Sequence, residues 1–465
     1  MSARRRAFRH GAVRRLETNP AVVTAALGIA TGLFAFARLA DRSIWADESI
    51  SISYALEPVR GLIRSVSHDP NMSLYYGLLW VWQRIFGDSV FAMRSMSVLF
   101  TVLTLPALYA VGARLCGRST GLIAALLLAT NAFVLTYAQE ARGYALVLFL
   151  TTIAAYFFVE ALEGSRRSLY AYVAFSAFAF YAHFFAVFVT MGQAGIVFLQ
   201  RERVTARRRW AAAYLAIGIL VAPVAYRSLT LGKNPINWIP RPGAHALWAG
   251  VRSLAGQSGL SVIALAVVLA LAAPTLLHRR QDRRLALILT WAFLPIVASF
   301  AISQGHPLFL PRYLIVSSPG VALLTAVAIG RLAPRVAAAS LVAVLACAIP
   351  GLWRWYHRPP VEDWKLASAY LASRAQPGDG VAYEMSWAIP AVSYYTDAKL
   401  RWGPADDVLP TPIGNRVWLI LYHDHGSLGA SARKLQAVLR RRGLQEVTTF
   451  DFQPRFQIEL FATRR

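Results

Sequence analysis

Asp47 and Glu48 stand side by side in the run Trp45-Ala46-Asp47-Glu48, directly after the first long apolar stretch of the chain. Adjacent carboxylates at the boundary of such a stretch are costly to desolvate unless a cation or hydroxyl meets them. Taken alone, the pair is either a solvated helix end or a place where a proton is accepted. A carboxylate there has the chemistry to take the proton of an attacking hydroxyl.

Its companions shift the balance. The same segment continues with Ser67-His68-Asp69-Pro70-Asn71-Met72-Ser73-Leu74-Tyr75-Tyr76, then Trp80, Trp82, Phe86-Gly87-Asp88-Ser89 and Met93-Arg94-Ser95. Gln139-Glu140-Ala141-Arg142-Gly143-Tyr144 ends a later apolar run, and Leu310-Pro311-Arg312-Tyr313 opens another. A planar guanidinium matches phosphate oxygens, so Arg142 and Arg312 either meet a phosphate or snorkel to lipid headgroups. His68 and Asp69 can hold a sugar hydroxyl or a divalent cation, or stand as plain loop residues. His183, a polar intrusion in an apolar run, either lines a cavity or is a hydrogen-bonded core histidine. Tyr422-His423-Asp424-His425 has metal-ligand types but no third ligand at fixed spacing, and reads as a turn with exposed imidazoles.

These residues are held on a membrane scaffold. With 57% hydrophobic and 15% charged residues, the chain carries more apolar surface than a soluble fold hides. Stretches of about 20 apolar residues recur, and we read about eleven transmembrane helices over 20–40, 91–112, 120–138, 143–162, 168–183, 184–200, 210–228, 255–277, 285–303, 312–330 and 336–356. The fifth and sixth are parts of one apolar stretch, split at His183. One span there would put the later arginine clusters on the wrong side.

The net charge of +25 argues for topology, not for nucleic acid. Arginines gather in alternate gaps (Arg114 and Arg118; Arg166 and Arg167; Arg201, Arg203 and Arg207 to Arg209; Arg279, Arg280, Arg283 and Arg284; Arg331 and Arg335), which all fall inside if residues 1–19 form a cytoplasmic basic N-terminus. The chain therefore reads as a multi-pass protein of the plasma membrane. Cys116 and Cys347 are placed too far apart for a disulfide, and no metal-type cysteine spacing exists.

The outer segments are unequal. Residues 41–90 form a long first outer loop with amphipathic stretches that lie along the membrane surface. Residues 230–254, rich in Pro, Gly, Asn and Trp, read as a mobile loop. The membrane part ends near 356, and 357–465 form a small extracytoplasmic α/β domain. Its helices are expected over 362–374 and 429–442, its strands over 380–384 and 416–422, and a closing hairpin over 446–450 and 456–463.

The order of these motifs resembles the GT-C superfamily of polytopic glycosyltransferases, in particular the branch of protein O-mannosyltransferases and the aminoarabinose transferase of lipid A. The resemblance is good over 45–200 and looser over the rest of the membrane part. That family often has His-Pro-Pro-Leu-Tyr-Tyr where this chain has His68 to Tyr76 with intervening residues. The resemblance implies an α-helical polytopic fold of GT-C type and an active site at Asp47 and Glu48. It implies a sugar donor on a polyprenyl phosphate. Asp47 is then the base and Glu48 orients acceptor or donor sugar. His68, Asp69, Tyr75, Gln139, Glu140, Arg142, Tyr144, His183, Arg312 and Tyr313 are the candidate substrate contacts. Inversion follows from a single displacement. The acceptor is a glycan, a lipid or a protein, membrane lipids surround the chain, and no cofactor is required beyond a candidate divalent cation. Two rival readings are a carrier of lipid-linked sugars and a catalytically silent relative. A carrier would show ionisable groups or broken helices at mid-membrane, whereas here they gather at one face.

Overall fold

The computed structural model describes residues 20–199, 204–231, 238–278, 282–396, 401–404, 415–424, 427–452 and 456–463; the basic residues 1–19 and His425 lie outside the described residues. In lipid every backbone group must find its partner within the segment, so uncharged runs of Ala, Leu, Val and Phe become helices. The first is α1 (Pro20–Phe36). The segment that follows folds into three helices, α2 (Ala46–Leu56), α3 (Val59–His68) and α4 (Ser73–Phe86). Asp47 and Glu48 are therefore not at the outer end of the first helix. They form the first turn of a helix of their own, because the charged residues Arg38, Asp41 and Arg42 end the apolar run and Arg38 turns the chain at φ 60°.

The membrane part continues with α5 (Val90–Cys116), α6 (Arg118–Ala129), α7 (Ala132–Ala138), α8 (Tyr144–Leu162), α9 (Arg166–Ala182), α10 (Ala186–Leu199) and α11 (Val204–Thr230). After α12 (Ala244–Leu254) come α13 (Gly259–His278), α14 (Arg283–Ile302), a 3-10 turn Pro311–Ser317 leading into α15 (Ser318–Gly330), and α16 (Pro334–His357). Half of the segment read as a loop over 230–254 is thus the helix α12, while 232–237 lie outside the described residues.

A helix stands at every expected span. Among the described residues seven are long and apolar enough to cross a bilayer, and eight if α6 and α7, bent by 63°, count as one span. The apolar helices Val22–Phe36 and Ala186–Phe198 are shorter, so length alone does not establish eleven crossings. The bend has a local cause: the Asn131 side chain accepts from the N–H groups of Phe133 and Val134 and starts a new helix. The break between α9 and α10 falls at His183, whose backbone is extended (φ −169°, ψ 133°).

The C-terminal part is a sheet sandwiched by helices. Its elements are α17 (Trp364–Arg374), β1 (Gly380–Tyr383), α18 (Ile389–Tyr395), β2 (Arg401–Pro404), β3 (Arg416–Asp424), the short β4 (Ser427–Leu428), α19 (Ala430–Arg441), β5 (Leu444–Phe452) and β6 (Phe456–Thr463). The main sheet runs β2-β1-β3-β6-β5, with β1 parallel to β2 and β3, and the β5–β6 hairpin antiparallel at one edge. Trp364, Leu371, Val392, Trp418 and Phe456 fill one face, and Leu419, Ala432, Leu439 and Phe461 fill the other. The sequence missed α18 and β2, which are too short to show a period. It also misread His423, which lies within β3, buried, with Nε2 3.0 Å from Asp451 Oδ1.

Candidate active site

Asp47 occupies the first turn of α2, where the unpaired N–H groups of a helix start favour negative charge. Its Oδ2 lies 3.1 Å from Arg312 Nη2 and 3.9 Å from Arg142 Nη2. The side chain stays 28% exposed, so the carboxylate is held between two guanidinium groups and still reachable. Arg312 is seated among the rings of Trp45, Trp238 and Tyr313, with its central carbon 5.4, 5.5 and 5.6 Å from their centres.

Glu48 is placed differently. It is fully buried, and both oxygens are taken by Arg94, Nε to Oε1 and Nη2 to Oε2, each at 2.7 Å. Oε1 also accepts the N–H of Ala141 at 2.9 Å. Arg94 spends its remaining donors on the carbonyls of Leu39, Arg42 and Ser43. No face of this carboxylate is left for a sugar, so the expectation that Glu48 orients substrate directly is not met by its geometry. It ties α5, the α1–α2 connection and the 139–143 turn into one block beneath Asp47. The sequence singled out Met93-Arg94-Ser95 without giving Arg94 a role, although an arginine near the start of an apolar helix already demanded a buried partner.

The 139–143 turn delivers Arg142. Its Nη1 donates to the Asp47 carbonyl (2.9 Å) and to Ser51 Oγ (3.1 Å), with Tyr76 Oη at 3.5 Å. Tyr76 in turn donates to Asp69 Oδ2 at 2.9 Å. Burial pushes the Asp69 carboxyl up from its ordinary range, against the pull of the Arg142 charge and the Tyr76 hydroxyl. Gly143 allows the turn to sit this close to α9, since a Cβ there would lie 2.9 Å from the Ala182 carbonyl oxygen.

Beside the arginines stands an aromatic wall. The rings of His183 and Tyr313 are 4.7 Å apart, and Tyr144 stands 5.7 Å from His183 and 6.3 Å from Tyr313. His183 Nδ1 accepts the N–H of Phe185, which leaves Nε2 unused. Among the described residues, Arg142 Nε, Arg312 Nε, Tyr144 Oη and His183 Nε2 are buried without a hydrogen-bond partner. Buried polar atoms are nearly always satisfied. The four residues that carry these orphans are linked by ring and cation–π contacts, directly or through Tyr313, and can turn unused polar atoms toward a polar ligand.

Other expected residues lie apart. His68 is exposed at the end of α3, its Nδ1 2.8 Å from the Arg64 carbonyl. Tyr75 points into the core and pairs with Ser97 Oγ at 3.0 Å. The Gln139 amide is fully used, accepting from Arg42 and donating to the carbonyls of Ala35 and Ala37. Among the described residues no three His, Cys, Asp or Glu side chains gather as a metal site, so the His68 and Asp69 cation candidate has no assembled ligand set.

Glu140 lines a small pocket with Arg38, Arg42, Trp45 and Arg358, with Oε1 3.9 Å from Arg358 Nη2 and Oε2 unpartnered. Burial pushes its carboxyl up to about 7, opposed chiefly by Arg358. The unfolded chain therefore releases this proton near pH 4.5, while the folded chain keeps it until about 7. Stability contributed here declines as pH rises between those values, because the folded state binds the extra proton. Glu140→Gln should flatten that decline, and at pH 8 it should be the more stable form by up to about 3 kcal/mol, at about 1.4 kcal/mol per unit. Melting temperatures of both forms in detergent at pH 5 and pH 8 would test this, and an unchanged difference between the two pH values would refute it.

An apolar groove of about 810 Å³ runs between α3, α4, α9 and α11, lined by Leu62, Val66, Leu74, Ala177, Phe178 and Leu220. Pro70 and Ser73 on its rim flank Asp69 and Tyr76, so the groove begins where the polar cluster ends.

The family of dolichyl-phosphate-mannose-protein mannosyltransferases matches residues 70–226, about a third of the chain and the stretch that carries Tyr76, Arg94, Arg142 and His183. The chain matches no curated protein sequence. Among solved structures it is similar to ArnT from Cupriavidus metallidurans in the apo state, with TM-score 0.65 and 13% identity over 95% of this chain and 98% of that one. The same protein bound to undecaprenyl phosphate gives 0.64 and 12%, over 94% and 97%. The oligosaccharyltransferase AglB from Archaeoglobus fulgidus, in complex with an inhibitory peptide and a dolichol-phosphate, gives 0.51 and 11% over 85% and 69%. Arabinofuranosyltransferase AftD from Mycobacteria gives 0.58 and 15%, over 94% of this chain but 41% of that one. At these identities the likeness is one of fold. The chain thus shares the fold of these solved membrane proteins, and over residues 70–226 it is similar in sequence to the mannosyltransferase family.

Proposed function

We propose that the chain moves a sugar from a polyprenyl-phosphate donor to an acceptor hydroxyl of a glycan, lipid or protein at the outer face of the plasma membrane, with inversion at the anomeric carbon. The observation that carries this reading is the Asp47 carboxylate set between Arg312 and Arg142, with orphaned donors around it. Asp47 takes the acceptor's proton as its oxygen attacks the anomeric carbon from the face opposite the phosphate. The bond from that carbon to the phosphate oxygen breaks, and the phosphate leaves with the electron pair. Arg142 and Arg312 meet the charge that builds on it. The prenyl chain lies in the apolar groove beside Asp69 and Tyr76. With the arginine-rich gaps inside, the N-terminus is cytoplasmic and the C-terminal domain stands outside.

Transfer of a labelled sugar from polyprenyl phosphate in reconstituted membranes tests the class. In that assay Arg142→Ala should lower turnover by roughly a hundred- to a thousandfold, as loss of one oxyanion donor does. Arg142→Lys should recover only part, since an ammonium keeps the charge and loses the fork that reaches Asp47, Ser51 and a phosphate together. Full activity in both variants would leave Arg142 as a membrane anchor. Movement of the labelled lipid across the bilayer without transfer would favour a carrier.

A further inference from the structure

The segment that leads into Asp47 is clasped from outside by the C-terminal domain. The Lys365 N–H donates to Ser43 Oγ at 3.1 Å, the Ile44 N–H donates to Tyr395 Oη at 2.9 Å, and the Ala46 N–H donates to Glu362 Oε2 at 2.8 Å. A fourth bond, from Tyr394 Oη to the Asp88 carbonyl, fixes the same domain to the end of the outer segment. From the opposite side Arg94 holds the carbonyls of Leu39, Arg42 and Ser43. The connection before α2 is thus gripped on both sides, its N–H groups by the outer domain and its carbonyls by the membrane part.

Glu362 is the centre of this grip. Trp45, the N-cap residue of α2, provides no side-chain cap, so the first N–H of the helix must find its acceptor elsewhere. Glu362 supplies it from 316 positions away, while the Trp364 indole N–H donates to the same oxygen at 2.7 Å. The carboxylate is buried, so solvent does not compete with it for these two donors. The residue it holds, Ala46, is the chain neighbour of Asp47, while Arg312 and Arg142 come from other elements. A slip of the α2 start therefore shifts the Asp47 carboxylate relative to Arg312 and Arg142, whose backbones are anchored in other elements.

We infer that the C-terminal domain sets the position of the Asp47 carboxylate and that Glu362 is the positioning residue, an inference that rests on Asp47 being the proton acceptor. The domain is then a part of the active site by way of the backbone, whatever acceptor it faces.

The test compares Glu362→Ala, Glu362→Gln and Tyr395→Phe with wild type and Asp47→Asn, in the full chain, with the labelled polyprenyl-phosphate sugar. Glu362→Ala should lower kcat about ten- to a hundredfold, the scale of a misplacement near 1 Å, with the donor KM within about threefold. Glu362→Gln, whose amide oxygen still accepts the Ala46 N–H, should return to within several-fold of wild type. Amide exchange over 43–50 should quicken in the alanine variant and not in the glutamine variant, with α5 and α8 unchanged. Wild-type kcat in Glu362→Ala overturns the inference. Equal losses in both Glu362 variants also overturn it, because the charge and not the acceptor would then matter. Should Glu362→Ala fail to fold, Tyr395→Phe removes the acceptor of the Ile44 N–H together with the hydroxyl's bond to Ser43, and unchanged kcat and exchange there overturn the inference that the domain sets the Asp47 position. Transfer by Asp47→Asn, in contrast, sinks the catalytic reading on which it rests.

Discussion

Asp47→Asn should give a protein that folds, binds donor and transfers no measurable sugar, with turnover down by about a thousandfold or more. The asparagine oxygen still accepts from Arg312, so the arrangement that now places Oδ2 3.1 Å from Nη2 survives the change. What is lost is the ability to hold the acceptor's proton, and general bases contribute roughly 10² to 10⁴ in rate. The loss of charge adds to this, since Arg142 and Arg312 would face one another across a neutral amide. The side chain is not deeply buried, so the change in melting temperature should be small. Asp47→Glu should be impaired as well, because an added methylene pushes the carboxylate into Arg312 and away from the place set by the start of α2. Single-turnover transfer with donor at saturation separates chemistry from binding. Activity of the asparagine variant within a few-fold of wild type would remove Asp47 from the role of base.

The sequence was legible where physics leaves few choices. Apolar runs marked where the helices stand, and the split made at His183 by counting sides falls where the structure breaks the helix. Asp47, Arg142 and Arg312 stood out because charge at a membrane boundary is expensive, and they converge on one carboxylate oxygen. His183, Tyr144 and Tyr313 also join them, as rings in contact. The illegible part consists of choices between equally costly groups. Nothing in the pair Asp47-Glu48 tells which carboxylate is exposed and which is locked to Arg94, since that depends on a helix start that a charged turn only hints at. Gln139, Glu140 and Arg142 share one motif, yet the tight turn at Gly143 sends Gln139 to the end of α1, Glu140 to a separate pocket and only Arg142 to Asp47. The clasp by Glu362 spans most of the chain and leaves no local trace.

Removing either partner of the Glu48–Arg94 pair should cost more stability than any other single change at this site. Both side chains are buried, and breaking a buried pair by deleting one partner costs about 3–5 kcal/mol because a charge is left without its counterion. Glu48→Ala and Arg94→Ala should therefore lower folded yield and melting temperature sharply, and lose activity in proportion to folded protein. The double change Glu48→Leu with Arg94→Met removes both charges, and for an isolated pair such a swap is often neutral. Here it should recover only part. Arg94 also satisfies the carbonyls of Leu39, Arg42 and Ser43, and Glu48 satisfies the Ala141 N–H, so four backbone groups lose their partners when both side chains go. Each such orphan costs roughly 1–3 kcal/mol when it stays dry. Glu48→Gln separates the two roles that a carboxylate at this position can have. As part of the scaffold, it should lower the melting temperature while the folded fraction keeps its turnover per molecule. A variant with wild-type stability and no turnover would instead mean that Glu48 reaches the substrate during the reaction, and that its buried place beside Arg94 belongs only to the resting arrangement.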